Sequence, residues 1–173
     1  ERQLDTMHAC GIEDKDITII AGYRNDVLKE KFKDTEIQFI VNESYETTNM
    51  VCSLMCARNL MEKESDILIS YGDIIYSKEV LEKILQSQDD MGVIVDDGWY
   101  EYWSARCENP LDDAETLMFD ENDYLTEIGQ KTTDLNKVQS QYIGLMRFKN
   151  AGLQAVLDLS AEAKKRSENG KAL

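Results

Sequence analysis

The stretch from Asp66 to Tyr76 most narrows what this chain can become. It opens with Ile67-Leu68-Ile69, a short run rich in β-branched residues. Such a run reads as a strand buried on both faces, as in a parallel sheet. Tyr71-Gly72-Asp73 ends it. Gly72 lets the backbone turn, or come close to a ligand. Asp73 then sits at the carboxyl end of the strand, where open α/β sheets bind ligands. A carboxylate there can hold a divalent cation against phosphate oxygens. Capping the turn is its alternative use, because Gly-Asp is a common turn pair.

The flanking pattern agrees with an alternating fold. Leu4, Met7 and His8 stand at helical spacing over residues 1–10, and Gly11 follows as a terminator. Asp16 to Gly22 reads as a strand, Asn25 to Phe32 as a helix, and Ile37 to Val41 as a second strand. A polar loop, Asn42 to Thr48, leads to a helix capped by Thr48 or Asn49, with Val51, Cys52, Leu54 and Met55 facing inward. After the central strand, Ser77 starts a helix with Val80, Leu81, Ile84 and Leu85 inward, and Met91 to Val95 is the next strand. Beyond Asp96-Asp97-Gly98 the pattern becomes antiparallel in style. Strand-like pieces run over Tyr100 to Ala105, Glu115 to Phe119, Tyr124 to Ile128 and Gln139 to Phe148, before a last helix from about Asn150 to Ser167. Alternating strands and helices imply right-handed crossovers and a parallel sheet. The expected architecture is a three-layer α/β/α sandwich, Rossmann-like, with a mixed but mostly parallel sheet and a β-rich extension on the substrate side. One domain is expected over residues 1–173.

Charge and cysteines bound the partners. Asp and Glu number 34 against 19 Lys and Arg, a formal charge of −15. That argues against a nucleic-acid polymer or an anionic membrane surface. A small phosphorylated substrate stays open, since a bound Mg²⁺ reverses the local field. No apolar run approaches the ~20 residues of a transmembrane helix. The cysteines are Cys10, Cys52, Cys56 and Cys107, and His8 is the single histidine. Buried apolar thiols are expected rather than a metal pair at Cys52 and Cys56, which fits a reducing cytoplasm.

Four motifs stand in a specific order. The first is Arg2-Gln3-Leu4-Asp5 with Ile17-Thr18-Ile19-Ile20-Ala21-Gly22-Tyr23. The second is Asn42-Glu43-Ser44-Tyr45-Glu46-Thr47-Thr48-Asn49 with Ser53-Leu54. The third is Tyr71-Gly72-Asp73. The fourth runs from Trp99, Trp103 and Arg106 through Asn109-Pro110-Leu111-Asp112-Asp113-Ala114-Glu115 to Glu127-Ile128-Gly129-Gln130-Lys131 and Gln141-Tyr142-Ile143-Gly144. Together they resemble the nucleotidyltransferases of the GT-A-like superfamily, and most of all bacterial cytidylyltransferases acting on phosphocholine or aminoalkylphosphonates. That family begins with a strand and a Gly-rich loop bearing Arg and Lys, and has a second metal-binding aspartate near its end. Neither lies within Glu1 to Leu173, so an internal fragment that is inactive by itself is expected.

The resemblance implies a Mg²⁺-dependent enzyme that moves CMP from CTP onto phosphocholine or a related phosphonate and releases pyrophosphate. Its alternatives are a sugar-1-phosphate nucleotidyltransferase and a non-catalytic regulatory or binding domain of the same fold. Positioning and charge neutralisation are the protein's work in such a transfer. Asp73 is the implied metal ligand and, with Lys131, the implied catalytic pair. Tyr45, Thr48, Asn49, Ser53 and Gly72 are implied nucleotide contacts, with plain capping the alternative for Thr48 and Asn49. Trp99, Trp103, Arg106 and Glu127 are implied on the acceptor side. Aromatic faces beside Asp96, Asp97 and Glu101 suit an ammonium group, while core packing is the alternative for each ring. A solvated surface position is the alternative for Lys131.

Overall fold

Punctuation residues place most of the elements. The computed structural model describes residues 2–168, a mixed α/β chain. Helix α1 (Arg2–Ala9) is followed by Gly11 at φ 85°, a left-handed position that glycine takes without strain. Strands β1 (Thr18–Ala21) and β2 (Gln38–Val41) pair in parallel around helix α2 (Asn25–Lys31), in the register Thr18 to Gln38 through Ala21 to Val41. Asn49 caps helix α3 (Met50–Met55) by accepting from the Cys52 N–H at 3.0 Å. Helix α4 (Arg58–Met61) follows. Strand β3 (Asp66–Ser70) precedes helix α5 (Lys78–Gln86), which Ser77 caps through the Val80 N–H. Then come β4 (Met91–Asp96), helix α6 (Trp99–Ser104), β5 (Glu115–Phe119), β6 (Leu125–Lys131), β7 (Gln141–Lys149) and helix α7 (Asn150–Glu168).

The strands form three sheets: β1-β2, β3-β7-β4 and β5-β6. The chain divides into two compact units and passes between them within β3, β4 and β7 and after Ile74. Unit one comprises Glu1–Leu68, Ile75–Gly92 and Arg147–Leu173. Ala57, Met61, Leu153 and Leu157 form a buried core there, with Ile20, Ile40, Ile67 and Phe148 packed against it. Unit two comprises Ile69–Ile74 and Val93–Met146. Its core joins Trp99, Ala114 and Val138, with Trp103 and Leu111 against them.

Four expectations need correction. Tyr100 to Ala105 is not a strand, because Trp99 and Trp103 use helical i,i+4 spacing to stack edge to face at 5.7 Å. That packing overrides the β-propensity of the aromatic residues. Val51 and Cys52 face solvent instead of the core, because α3 is only six residues long and turns Leu54 and Met55 inward. Cys52 and Cys56 are therefore exposed thiols, not buried ones. Strand β3 is also only partly buried along its apolar run.

Candidate functional site

In unit two, Asp73 lies in the turn that leaves β3. Its exposed carboxylate takes part in no hydrogen bond or ion pair among the described residues. The neighbouring turn is held firmly. The Tyr71 N–H donates to the Gly144 carbonyl at 2.9 Å. Gly144 has φ 91°, and a Cβ there would lie 2.7 Å from the Tyr71 ring. Only glycine meets both conditions. Tyr71 in turn meets Tyr142 edge to face at 5.8 Å.

A cleft of about 190 Å³ opens in the same unit. Trp103 lines it from α6, Asp113 from the turn before β5, and Glu115, Thr116 and Leu117 from β5 itself. Ile128 of β6 and Gln141 and Tyr142 of β7 complete the lining. Local chemistry builds the acidic wall. Asn109 accepts from the Leu111 N–H and donates to Asp112, Pro110 is buried, and the Ala114 N–H closes on the Pro110 carbonyl. This turn delivers Asp113 and Glu115 to the cleft. Gln141 commits its amide donor to the Glu115 and Ser140 carbonyls, at 2.8 and 3.1 Å, which leaves its Oε1 as an acceptor. Burial, then the nearby Tyr71 phenol, pushes the Tyr142 hydroxyl far above its ordinary pKa, so it stays protonated. The lining thus offers two carboxylates, an amide oxygen and two aromatic rings. That set accepts an ammonium group better than an anion.

The other predicted residues of unit two fall around this frame. Trp99 is 2% exposed and fills the core, so its ring is a packing element, while Trp103 reaches the cleft. Arg106 lies over the Tyr102 ring at 5.1 Å and donates to its hydroxyl, with no carboxylate partner among the described residues. Lys131 stands 3.9 Å from Asp113, both well exposed. Glu127 is half-buried on β6, opposite Met118 of β5. Of the carboxylates beside the aromatic cluster, Asp96 accepts from the Gly98 N–H, and Asp97 from the Ser140 hydroxyl.

Tyr45, Thr48, Asn49 and Ser53 belong to unit one. Tyr45 packs against Gly22, where a Cβ would come within 2.6 Å of it. Partial burial, then the Glu46 carboxylate, raises its phenol pKa. The buried Asn42 ties the segment together, donating to Thr48 Oγ1 at 2.8 Å and Ser53 Oγ at 3.0 Å and accepting from the Ser44 N–H at 3.0 Å.

This chain is 36% identical over 160 residues to the CTP:phosphoglutamine cytidylyltransferase of Campylobacter jejuni, covering 90% of this chain and 62% of that protein. The chain is thus similar to a cytidylyltransferase over most of its own length. A second relative of this cytidylyltransferase-like chain is the CMP-5'-(3-aminopropyl)phosphonate synthase of Streptomyces rubellomurinus, 22% identical over 90 residues, 50% of this chain and 14% of that protein. Among solved structures, HddC from Yersinia pseudotuberculosis complexed with GMP-PN matches with a TM-score of 0.61 at 15% identity, over 91% of this chain and 64% of that one. That likeness concerns the fold. No family model matches. The chain therefore spans less than two thirds of the length of the curated relatives it matches.

The sequence carries Asp113, Glu115, Gln141, Tyr142 and Asn42 within the quoted motifs but gives none of them a place among the site residues. The i,i+2 spacing of Asp113 and Glu115 was the available signal, since it places two carboxylates on one face of an extended segment.

Proposed function

We propose that this cytidylyltransferase-like chain is part of an enzyme that transfers CMP from CTP to a small phosphorylated or phosphonate acceptor bearing an ammonium group, with release of pyrophosphate. The observation that carries this reading is the acidic and aromatic cleft of unit two, lined by Trp103, Asp113, Glu115, Gln141 and Tyr142. Phosphocholine and aminoalkylphosphonates are both acceptors of this class. The names of the relatives support a cytidylyl donor and an acceptor of phosphate or phosphonate type.

Asp73 is the residue we assign to Mg²⁺. Its exposed, uncommitted carboxylate suits a hard cation. Among the described residues no three His, Cys, Asp or Glu groups converge on one point. One protein oxygen with several triphosphate oxygens is a usual arrangement for this ion. When bound, the ion would neutralise charge on the triphosphate. Arg106, with no carboxylate partner among the described residues, is the cation we assign to the acceptor phosphate, and Lys131 is its companion near Asp113. Tyr45, Thr48, Asn49 and Ser53 are the residues we assign to the nucleotide. We also assign the expected three-layer sandwich to the full-length protein.

The test replaces the acidic wall. Asp113 is 86% exposed, so each carboxylate works against solvent screening and contributes about fivefold or less to binding. Asp113→Asn with Glu115→Gln in the full-length protein should raise the KM for an amine-bearing acceptor by about tenfold while the KM for CTP stays unchanged. Equal changes for both substrates would remove the cleft from acceptor recognition.

A further inference from the structure

The Asn42 network fixes the polarity of two hydroxyls. Because Asn42 Oδ1 accepts from the Ser44 N–H, the amide can present only its NH₂ group to Thr48 and Ser53. A hydroxyl carries one proton and two acceptor lone pairs. Thr48 directs its proton to the Ser44 carbonyl at 2.9 Å. Ser53 directs its own to the Asn49 carbonyl at 3.4 Å, a longer and weaker bond. Asn42 occupies one lone pair on each oxygen. What remains on each hydroxyl is a single lone pair. Each hydroxyl can accept from a ligand, and can donate only by breaking a bond it already makes.

We propose that Asn42 is a positioning residue for base choice. It holds Thr48 and Ser53 as hydrogen-bond acceptors, so this segment receives a nucleobase edge that donates and rejects one that presents a carbonyl. Among pyrimidines, cytosine offers an exocyclic amine where uracil offers an oxygen. An amine meets the free lone pairs, whereas a carbonyl meets them unpaired, and leaving polar groups unpaired is what makes such discrimination strong. The inference rests on the CTP reading given above and adds to it the residue that enforces the base. Thr48 carries more of the effect than Ser53, because its proton is held by the shorter bond.

The experiment is calorimetric titration of the full-length protein with Mg-CTP and Mg-UTP. The variants are Thr48→Val, which keeps the shape of the side chain and removes the acceptor, and Asn42→Ala, which removes the donor that obliges both hydroxyls to accept. Wild-type protein should bind CTP more tightly than UTP. Thr48→Val should weaken CTP by about tenfold and leave UTP unchanged, as expected for one lost hydrogen bond to a ligand. Asn42→Ala should narrow the CTP to UTP ratio in the same sense. A thermal melt checks that each variant is folded, and if Asn42→Ala unfolds the loop, Thr48→Val alone decides. Equal weakening of both nucleotides by Thr48→Val would overturn the role of Asn42 and leave the CTP reading standing. Wild-type protein that binds neither nucleotide would overturn the CTP reading, and this inference with it.

Discussion

Replacing Arg147 should be among the most damaging single changes in unit one. Arg147 lies on β7 with a side chain only 13% exposed. Its Nε and Nη2 donate to both oxygens of Asp66, at 2.8 and 2.5 Å, in a bidentate fork. Its Nη1 donates to the carbonyls of Ile84, Leu85 and Ser87 at 3.0, 2.6 and 3.4 Å, which closes the C-terminal end of α5. The Ile84 carbonyl also accepts from the capping Ser87 N–H at 3.3 Å, and a cation at this end meets the negative end of the helix dipole. The hydrogen bonds to Asp66 raise the Arg147 pKa further, so its charge is constant at every working pH. Breaking a buried charge pair costs roughly 3–5 kcal/mol. Asp66 is 44% exposed and regains water, which lowers the figure. The carbonyls of α5 lose their charged donor at about 1.5 kcal/mol or more. Arg147→Ala should therefore cost about 3 kcal/mol, a fall in melting temperature of roughly 6–12 °C for a chain of this size. Arg147→Lys keeps the charge, but a compact ammonium cannot bridge a carboxylate and a helix end together, so about half the loss should remain. Urea unfolding followed by circular dichroism measures both. A change below about 0.5 kcal/mol for Arg147→Ala would refute the reasoning, because it is the scale of an ordinary surface substitution.

Two further outcomes follow from unit two. Gly144→Ala combines φ 91° with a Cβ 2.7 Å from the Tyr71 ring, and should cost about 2 kcal/mol or more in thermal unfolding. A neutral result would mean that the Tyr71 turn yields freely. For Tyr142, the folded pKa lies above the unfolded value of about 10, so the folded state keeps a proton that the unfolded state releases. Its contribution to stability is complete below that value and falls as pH rises above it. Tyr142→Phe should flatten the loss of stability above pH ~10, measured by urea midpoints across the alkaline range, and an unchanged slope would contradict the burial of the phenol.

Local signals marked most of the fold. Ser77 announced the start of α5, Thr48 or Asn49 that of α3, where Asn49 proves to be the cap, and Gly11 the end of α1, because capping chemistry depends on a few adjacent residues. The start of β6 was read one residue early. Asp120 accepts from the N–H groups of Asn122 and Tyr124, and Asp123 adopts φ 63°, so the turn extends through Tyr124. The aromatic run from Trp99 to Trp103 carries both a strand propensity and a helical repeat. Only the core formed with Ala114 and Val138 selects the helix. The end-of-strand placement of Asp73 was legible from the apolar run and Gly72. The cleft was not, because its lining comes from α6, β5, β6 and β7 and exists only after those strands have paired. The role of Asn42 is illegible in the sequence for a related reason. Its partners lie two, six and eleven residues away, and no periodicity connects them.

The most direct test of the account is pyrophosphate release by the full-length protein given Mg-CTP and one acceptor at a time. An amine-bearing phosphate or phosphonate, such as phosphocholine or 3-aminopropylphosphonate, should support steady turnover. A sugar 1-phosphate, which lacks the ammonium group, should support little, and Asp73→Asn should lower the rate by orders of magnitude while the fold is retained. Turnover that is equal with the sugar phosphate, or a rate indifferent to Asp73, would contradict the assignment of an ammonium-bearing acceptor to the cleft and of the metal to Asp73.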